Sequence, residues 1–215
     1  MRSPWHHSVQ VPVYIINICT RQASNALTRS SAPASVALRP FAADPSVIRQ
    51  LNVRIARPKP EQLLLEYALQ GDLAGVRLPA AAARVPPAAP TDGLWQHTCM
   101  EVFVGAAAAG TNPGSYLEFN LAPSGQWAAY RFSGYRAGMA PLTGIRPPRI
   151  QLQTRADEMV LHADVELPPD LAPAGLRLGI TAVVEKAEGG LSYWALRHAG
   201  DRPDFHHPDS FGFEI

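Results

Sequence analysis

Polar and apolar positions alternate along most of the chain from Leu38 onward. Leu51-Asn-Val-Arg-Ile55 alternates strictly, and the run that follows sets Leu63, Leu65, Tyr67 and Leu69 on one side. A period of two marks a half-buried strand, because successive side chains leave opposite faces of a pleated sheet. The same pattern predicts strands over 98–104, 116–121, 127–132, 150–154, 159–165, 176–184 and 191–196. Gly, Pro and Asp clusters separate them, and Ala122-Pro-Ser-Gly-Gln126 has the composition of a hairpin turn. No amphipathic helix longer than two turns can be drawn through the pattern. Short strands at this spacing predict an all-β fold, a single β-sandwich of about ten antiparallel strands spanning 36–215.

Two stretches break the alternation. Residues 1–35 show no sustained period and end in Ser, Ala and Thr, so they are expected to form a flexible N-terminal extension. Residues 79–92 carry Pro79, Pro86, Pro87 and Pro90, which would repeatedly break a helix and predict a loop.

Composition narrows the function classes. A 215-residue chain fits one domain, and a domain of this size buries roughly 70% of its unfolded surface without a metal or disulfide staple. A net charge of +1 argues against nucleic-acid binding, which calls for a basic stripe. Cys19 and Cys99 lie eighty positions apart and suggest no disulfide framework. No apolar run approaches the ~20 residues that span a bilayer. The apolar stretch 9–19 contains Pro12 and Asn17 and lacks a small-residue cleavage site, so a cytoplasmic location is expected, with export the alternative.

The hairpin 116–132 carries the main chemical signal. A solvated sheet face would hold Thr, Ser, Lys and Gln; here one face holds Tyr116, Glu118 and Asn120, with Trp127 and Arg131 expected opposite them. Glu101 can share this face from the neighbouring strand, beside Cys99 and Phe103. Aromatic rings next to acids and an amide suit a polyhydroxylated ligand: rings stack on apolar sugar faces, and carboxylate and amide oxygens accept from hydroxyls. The same residues would also serve as a buried polar cluster in which Arg131 or Arg136 satisfies a glutamate.

Other chemistry is less well supported. Asp204, His206 and His207 are metal-ligand types, but their spacing fits no zinc signature, and a loop held by Asp–Arg and His–backbone hydrogen bonds is expected instead. Glu101 and Glu118 would form a hydrolytic carboxylate pair only in a register that sets them opposite each other. No nucleophile elbow, ordered Cys–His arrangement or glycine-rich phosphate loop is present, so no catalytic residue and no enzyme activity are expected.

The run 94–104 (Leu94-Trp-Gln-His-Thr-Cys-Met-Glu-Val-Phe-Val104), then 116–130 and Phe132-Ser-Gly-Tyr-Arg136, resembles the DOMON-like proteins, relatives of the family 9 carbohydrate-binding modules. The stretch 194–207 resembles that family's C-terminal signature, and the resemblance covers the chain from Leu38 to its end. It implies a β-sandwich with a ligand site on one sheet or at its rim. By position it implies ligand contacts from Trp95, Glu101, Glu118, Asn120 and Trp127, and further from Arg136, Trp194 and His198. Other DOMON domains bind haem through Met and His; Met100, Met139, His97 and His198 are the residues available for that minor branch. The expected function is a non-catalytic domain that needs no cofactor or metal and binds a small molecule, a carbohydrate or polyol. The alternatives are a haem or redox-ligand carrier and a protein-interaction domain.

Overall fold

The computed structural model of the protein describes residues 33–42, 47–79, 89–107, 114–173 and 175–215. The extension expected over 1–35 lies almost wholly outside the described residues, as does most of the proline-rich loop. Twelve strands follow one another: β1 (Ala34–Pro40), β2 (Ile48–Lys59), β3 (Gln62–Gly71), β4 (Cys99–Ala106), β5 (Tyr116–Leu121), β6 (Trp127–Phe132), β7 (Ala140–Pro141), β8 (Arg149–Thr154), β9 (Glu158–Glu166), β10 (Leu176–Glu185), β11 (Leu191–Ala195) and β12 (Phe213–Glu214). Only short 3-10 turns accompany them among the described residues, and no helix there is long and apolar enough to cross a membrane.

The strands build an antiparallel β-sandwich. The first sheet runs β1-β2-β3-β9-β8 and the second β7-β6-β5-β4-β10-β11, with β12 against the start of β10. Strand β1 joins the two: residues 34–38 pair with β2, and Arg39 and Pro40 pair with β11. The domain start expected at residue 36 therefore falls inside a strand. Ala34 and Ser35 look like polar tail in sequence, yet they pair with Ile55 and Arg54, because backbone ladder bonds hold a strand whatever its exposed side chains are.

The core lies between the sheets. From the first it takes Leu51, Val53, Ile55, Leu63, Leu65, Tyr67, Leu69 and Leu161; from the second, Met100, Val102, Val104, Leu117, Phe119, Leu121 and Ile180. Each set occupies alternate positions of its strands, as the period of two requires. Tyr67 is fully buried there, and its hydroxyl crosses the sandwich to donate to the Glu101 carbonyl at 2.7 Å. A buried hydroxyl needs such a partner.

The two sheets differ in their outer faces. In the first, outward positions such as Arg54, Glu66 and His162 are wet or paired across the strands. In the second, β4 and β5 are buried on both faces nearly throughout. A second apolar cluster covers that outer face: Leu94, Cys99, Phe103, Tyr116, Tyr130, Phe132, Val183, Phe205 and Phe211. A 3-10 turn (Leu94–Gln96) and the C-terminal segment through Phe211 supply the cover. Polar side chains on that face are thus enclosed rather than solvated.

Candidate functional site

The outer face of the second sheet opens into a recess of about 590 Å³, within the roughly 300–1,000 Å³ usual for small-molecule sites. Its floor is β4 and β5, with Glu101, Phe103 and Glu118. Phe132, Val183 and Tyr193 extend it from β6, β10 and β11, and Trp95, Arg136, Met139, Phe205 and His206 close over it from loops.

Register fixes the floor. Glu101 stands opposite Asn120, and Phe103 opposite Glu118, so the two glutamates are diagonal neighbours on one face. Glu101 and Glu118 are 2% and 5% exposed. Thr181 Oγ1 donates to Glu101 Oε2 at 3.0 Å, and Asn120 Nδ2 donates to Glu118 Oε1 at 2.8 Å. Each carboxyl therefore has one oxygen tied to the scaffold. The other oxygen of Glu118 lies 3.8 Å from His206 Nε2, beyond hydrogen-bond reach, and among the described residues the other oxygen of Glu101 accepts no hydrogen bond.

Burial controls the protonation of these groups. Burial first, and then the neighbouring Glu118 carboxylate, push Glu101 up to about 8, against the Thr181 hydrogen bond. Burial pushes Glu118 up to about 6, although the Asn120 hydrogen bond and the Arg136 charge favour its ionised form. Burial and then Arg136 hold His206 down at about 4, with Asp204 pulling the other way. Near neutral pH the floor thus holds a neutral Glu101, a largely ionised Glu118 and a neutral imidazole.

One rim is a locked pair of loops. Arg136 has a φ of 52°, a left-handed backbone that side-chain-bearing residues rarely adopt. Three contacts hold it there. Its N–H donates to the Tyr116 hydroxyl, and its guanidinium donates twice to Asp204 Oδ1, at 3.2 and 2.8 Å. Asp204 also accepts from the Tyr135 hydroxyl and from the His206 backbone N–H. One carboxylate thus joins the segment after β6 to the segment after β11.

Of the residues singled out in the sequence, Trp95, Glu101, Glu118 and Arg136 line the recess, and Asn120 lies behind Glu118 as its hydrogen-bond donor. Trp127, Trp194 and His198 do not. Trp127 stands opposite Leu121, and directly paired residues share a face, so it points into the core with Phe119. Arg131, expected beside it on the polar face, stands opposite Leu117 and pairs with Asp170 at 2.8 Å. Trp194 is in the same core, with its indole N–H donating to Ser192. His198 packs on Phe41 and its Nε2 lies 2.8 Å from the Arg39 carbonyl.

The positions beside Glu118 and Asn120 on β6 belong instead to Tyr130 and Ala128, and Phe132 stacks on Tyr116 at 4.9 Å. Sequence reasoning missed Phe132, Tyr193, Phe205 and, as a site residue, His206. The first two carried a readable signal, the alternation of β6 and β11 once register is known; the last two sit in irregular chain with none.

The residues considered for haem are dispersed. Met100 is in the inter-sheet core, Met139 at the recess, His97 against Glu185 at 2.8 Å and His198 at β1. Among the described residues, no cluster of His, Cys, Asp or Glu could hold a metal ion. A further depression of about 410 Å³ lies on the outer face of the first sheet, where Arg54 and His162 each approach Glu66 at 3.6 Å and Gln62 donates to Asp164.

Comparison with family models gave no match, and comparison with curated proteins gave none. Among solved structures, the chain is similar to a carbohydrate binding module family 9 from Caldicellulosiruptor kristjanssonii, in complex with cellotriose. The identity is 9% and the TM-score 0.41, over 75% of this chain and 72% of that one.

Proposed function

We propose that the recess on the second sheet binds a small polyhydroxylated molecule, a carbohydrate or polyol, and that the domain acts by binding rather than catalysis. One observation carries this reading. Glu101 and Glu118 each commit one carboxyl oxygen to the scaffold and leave the other without a protein hydrogen bond beside the recess both residues line. These two oxygens open on the recess rather than being sealed in the interior, and ligand hydroxyls would donate to them. Trp95, Tyr193 and Phe205 provide flat apolar surface for the ring of such a ligand.

The pKa values of the two glutamates, about 8 and about 6, favour a second reading, a carboxylate-dependent glycoside hydrolase. Their placement weighs against it. Register sets Glu101 opposite Asn120 and Glu118 opposite Phe103, so the two carboxyls are diagonal rather than directly paired across the strands.

Isothermal titration against monosaccharides, short oligosaccharides and alditols tests the proposal. At least one should bind, and Glu118→Gln should weaken it by about tenfold or more, the cost of losing a charged hydrogen bond. No heat with any member of the panel contradicts it.

A further inference from the structure

The recess holds one positive charge, and that charge is already paired. Among the described residues Arg136 is the one arginine or lysine lining it, and its guanidinium is committed to Asp204 through two donors. Among the described residues no arginine or lysine pairs with Glu101, whose surroundings offer Thr181 as a donor and Glu118 as a second acid. Glu118 lies 3.8 Å from the imidazole of His206 and feels the charge of Arg136, which is itself paired with Asp204. Buried carboxyls are ordinarily paired with a cation or held neutral. Here two sit side by side under aromatic walls, each with an oxygen to spare.

We infer that the counter-charge comes with the ligand: the recess takes an amino sugar, whose ammonium group sits against Glu101 and Glu118 while its ring lies among Trp95, Tyr193 and Phe205. An ammonium provides three donors and no acceptor, which matches two acceptor oxygens at the floor. Aromatic faces favour a cation as well as a sugar ring. The inference rests on the carbohydrate reading of this site and narrows it to one class.

Proton linkage follows from the same geometry. An arriving ammonium favours the ionised form of Glu101, so the carboxyl gives up its proton to solvent on binding. The titratable groups around the two glutamates are Tyr67, Cys99, Tyr116, Tyr130, Arg136 and His206. Burial raises the pKa of the first four, which keeps them protonated. Arg136, already paired with Asp204, is the one cation among them, and it acts on Glu118 and not on Glu101.

Titrations at about pH 6.5, where a sugar amine is still largely protonated, should compare glucosamine, galactosamine and mannosamine with their neutral parents and N-acetyl derivatives. The best amino sugar should bind about tenfold or more tighter than its neutral parent, and N-acetylation should erase the gain. Repeating the titration in buffers of different ionisation enthalpy should report proton release for the amine and none for the neutral sugar. A neutral parent that binds as tightly as its amine overturns this inference and leaves the carbohydrate reading standing. Absence of binding by every sugar, charged or neutral, overturns both.

Discussion

The hydroxyl of Tyr116 joins the Arg136 backbone to the ring of His206. It accepts from the Arg136 backbone N–H at 3.2 Å and lies 2.8 Å from His206 Nδ1. A phenol that accepts from the backbone has its own hydrogen to give, and giving it to Nδ1 would leave the imidazole proton on Nε2, facing Glu118. A nitrogen-15 NMR titration should find His206 as the neutral Nε2–H tautomer with a midpoint near 4. A depressed histidine pKa means that the unfolded chain takes up the proton first, so stability is lost as pH falls from about 6.5 through 4. An ordinary midpoint near 6.5 would contradict this placement.

The buried glutamates predict the opposite trend on the alkaline side. Glu101 stays protonated in the fold up to about 8, far above its ordinary 4.5. Between those values the native state holds more protons than the unfolded chain, so stability falls as pH rises through the window. Glu118 contributes in the same sense between 4.5 and about 6. Glu101→Gln should remove most of this loss, raising the melting temperature at about pH 9 by about 5 °C or more relative to the parent. The two should differ much less near pH 5. Differential scanning calorimetry at both pH values checks it, and parallel curves would count against a protonated Glu101.

The tryptophans separate scaffold from site. Trp127→Ala empties a position in the inter-sheet core and should cost about 3–5 kcal/mol in denaturant unfolding. Trp95 is only half-buried, on a 3-10 turn at the recess, with its ring edge against Tyr130. Trp95→Ala should cost about 1–2 kcal/mol and weaken ligand binding by about tenfold or more. Equal stability losses would show that the two faces had been confused.

That distinction was only partly legible in the sequence. Alternation revealed nine of the twelve strands, because a strand with one face in the core must alternate. The short strands β7 and β12, two residues each, have too little length to show a period. The polar face of β5 was legible for the same reason. The face of β6 was not. It depends on how the turn 122–126 pairs its ends, and a shift of one residue exchanges every side chain between core and recess. Because Leu121 pairs with Trp127, Tyr130 and Phe132 took the places expected for Trp127 and Arg131. On β11 the same alternation sends Tyr193 to the recess and Trp194 to the core. His206 depends on where an irregular C-terminal segment folds back, which no periodicity encodes.

Asp204 should behave as a positioning residue. It does not line the recess, yet it holds Arg136, Tyr135 and the backbone of His206. Asp204→Ala should cost about 1–3 kcal/mol of stability. Hydrogen exchange should quicken in 133–139 and 201–207 together, and ligand affinity should fall although no direct contact is removed. Faster exchange in only one of the two segments would show that they are not joined through this carboxylate.

The central claim is that ligands enter the recess over Glu101 and Glu118. The indole N–H resonances of the tryptophans report this directly when a sugar that binds in calorimetry is titrated into labelled protein. The signal of Trp95 should move along the binding curve, while those of Trp127 and Trp194 stay in place. Saturable binding that leaves Trp95 unmoved would place the ligand elsewhere and contradict the account.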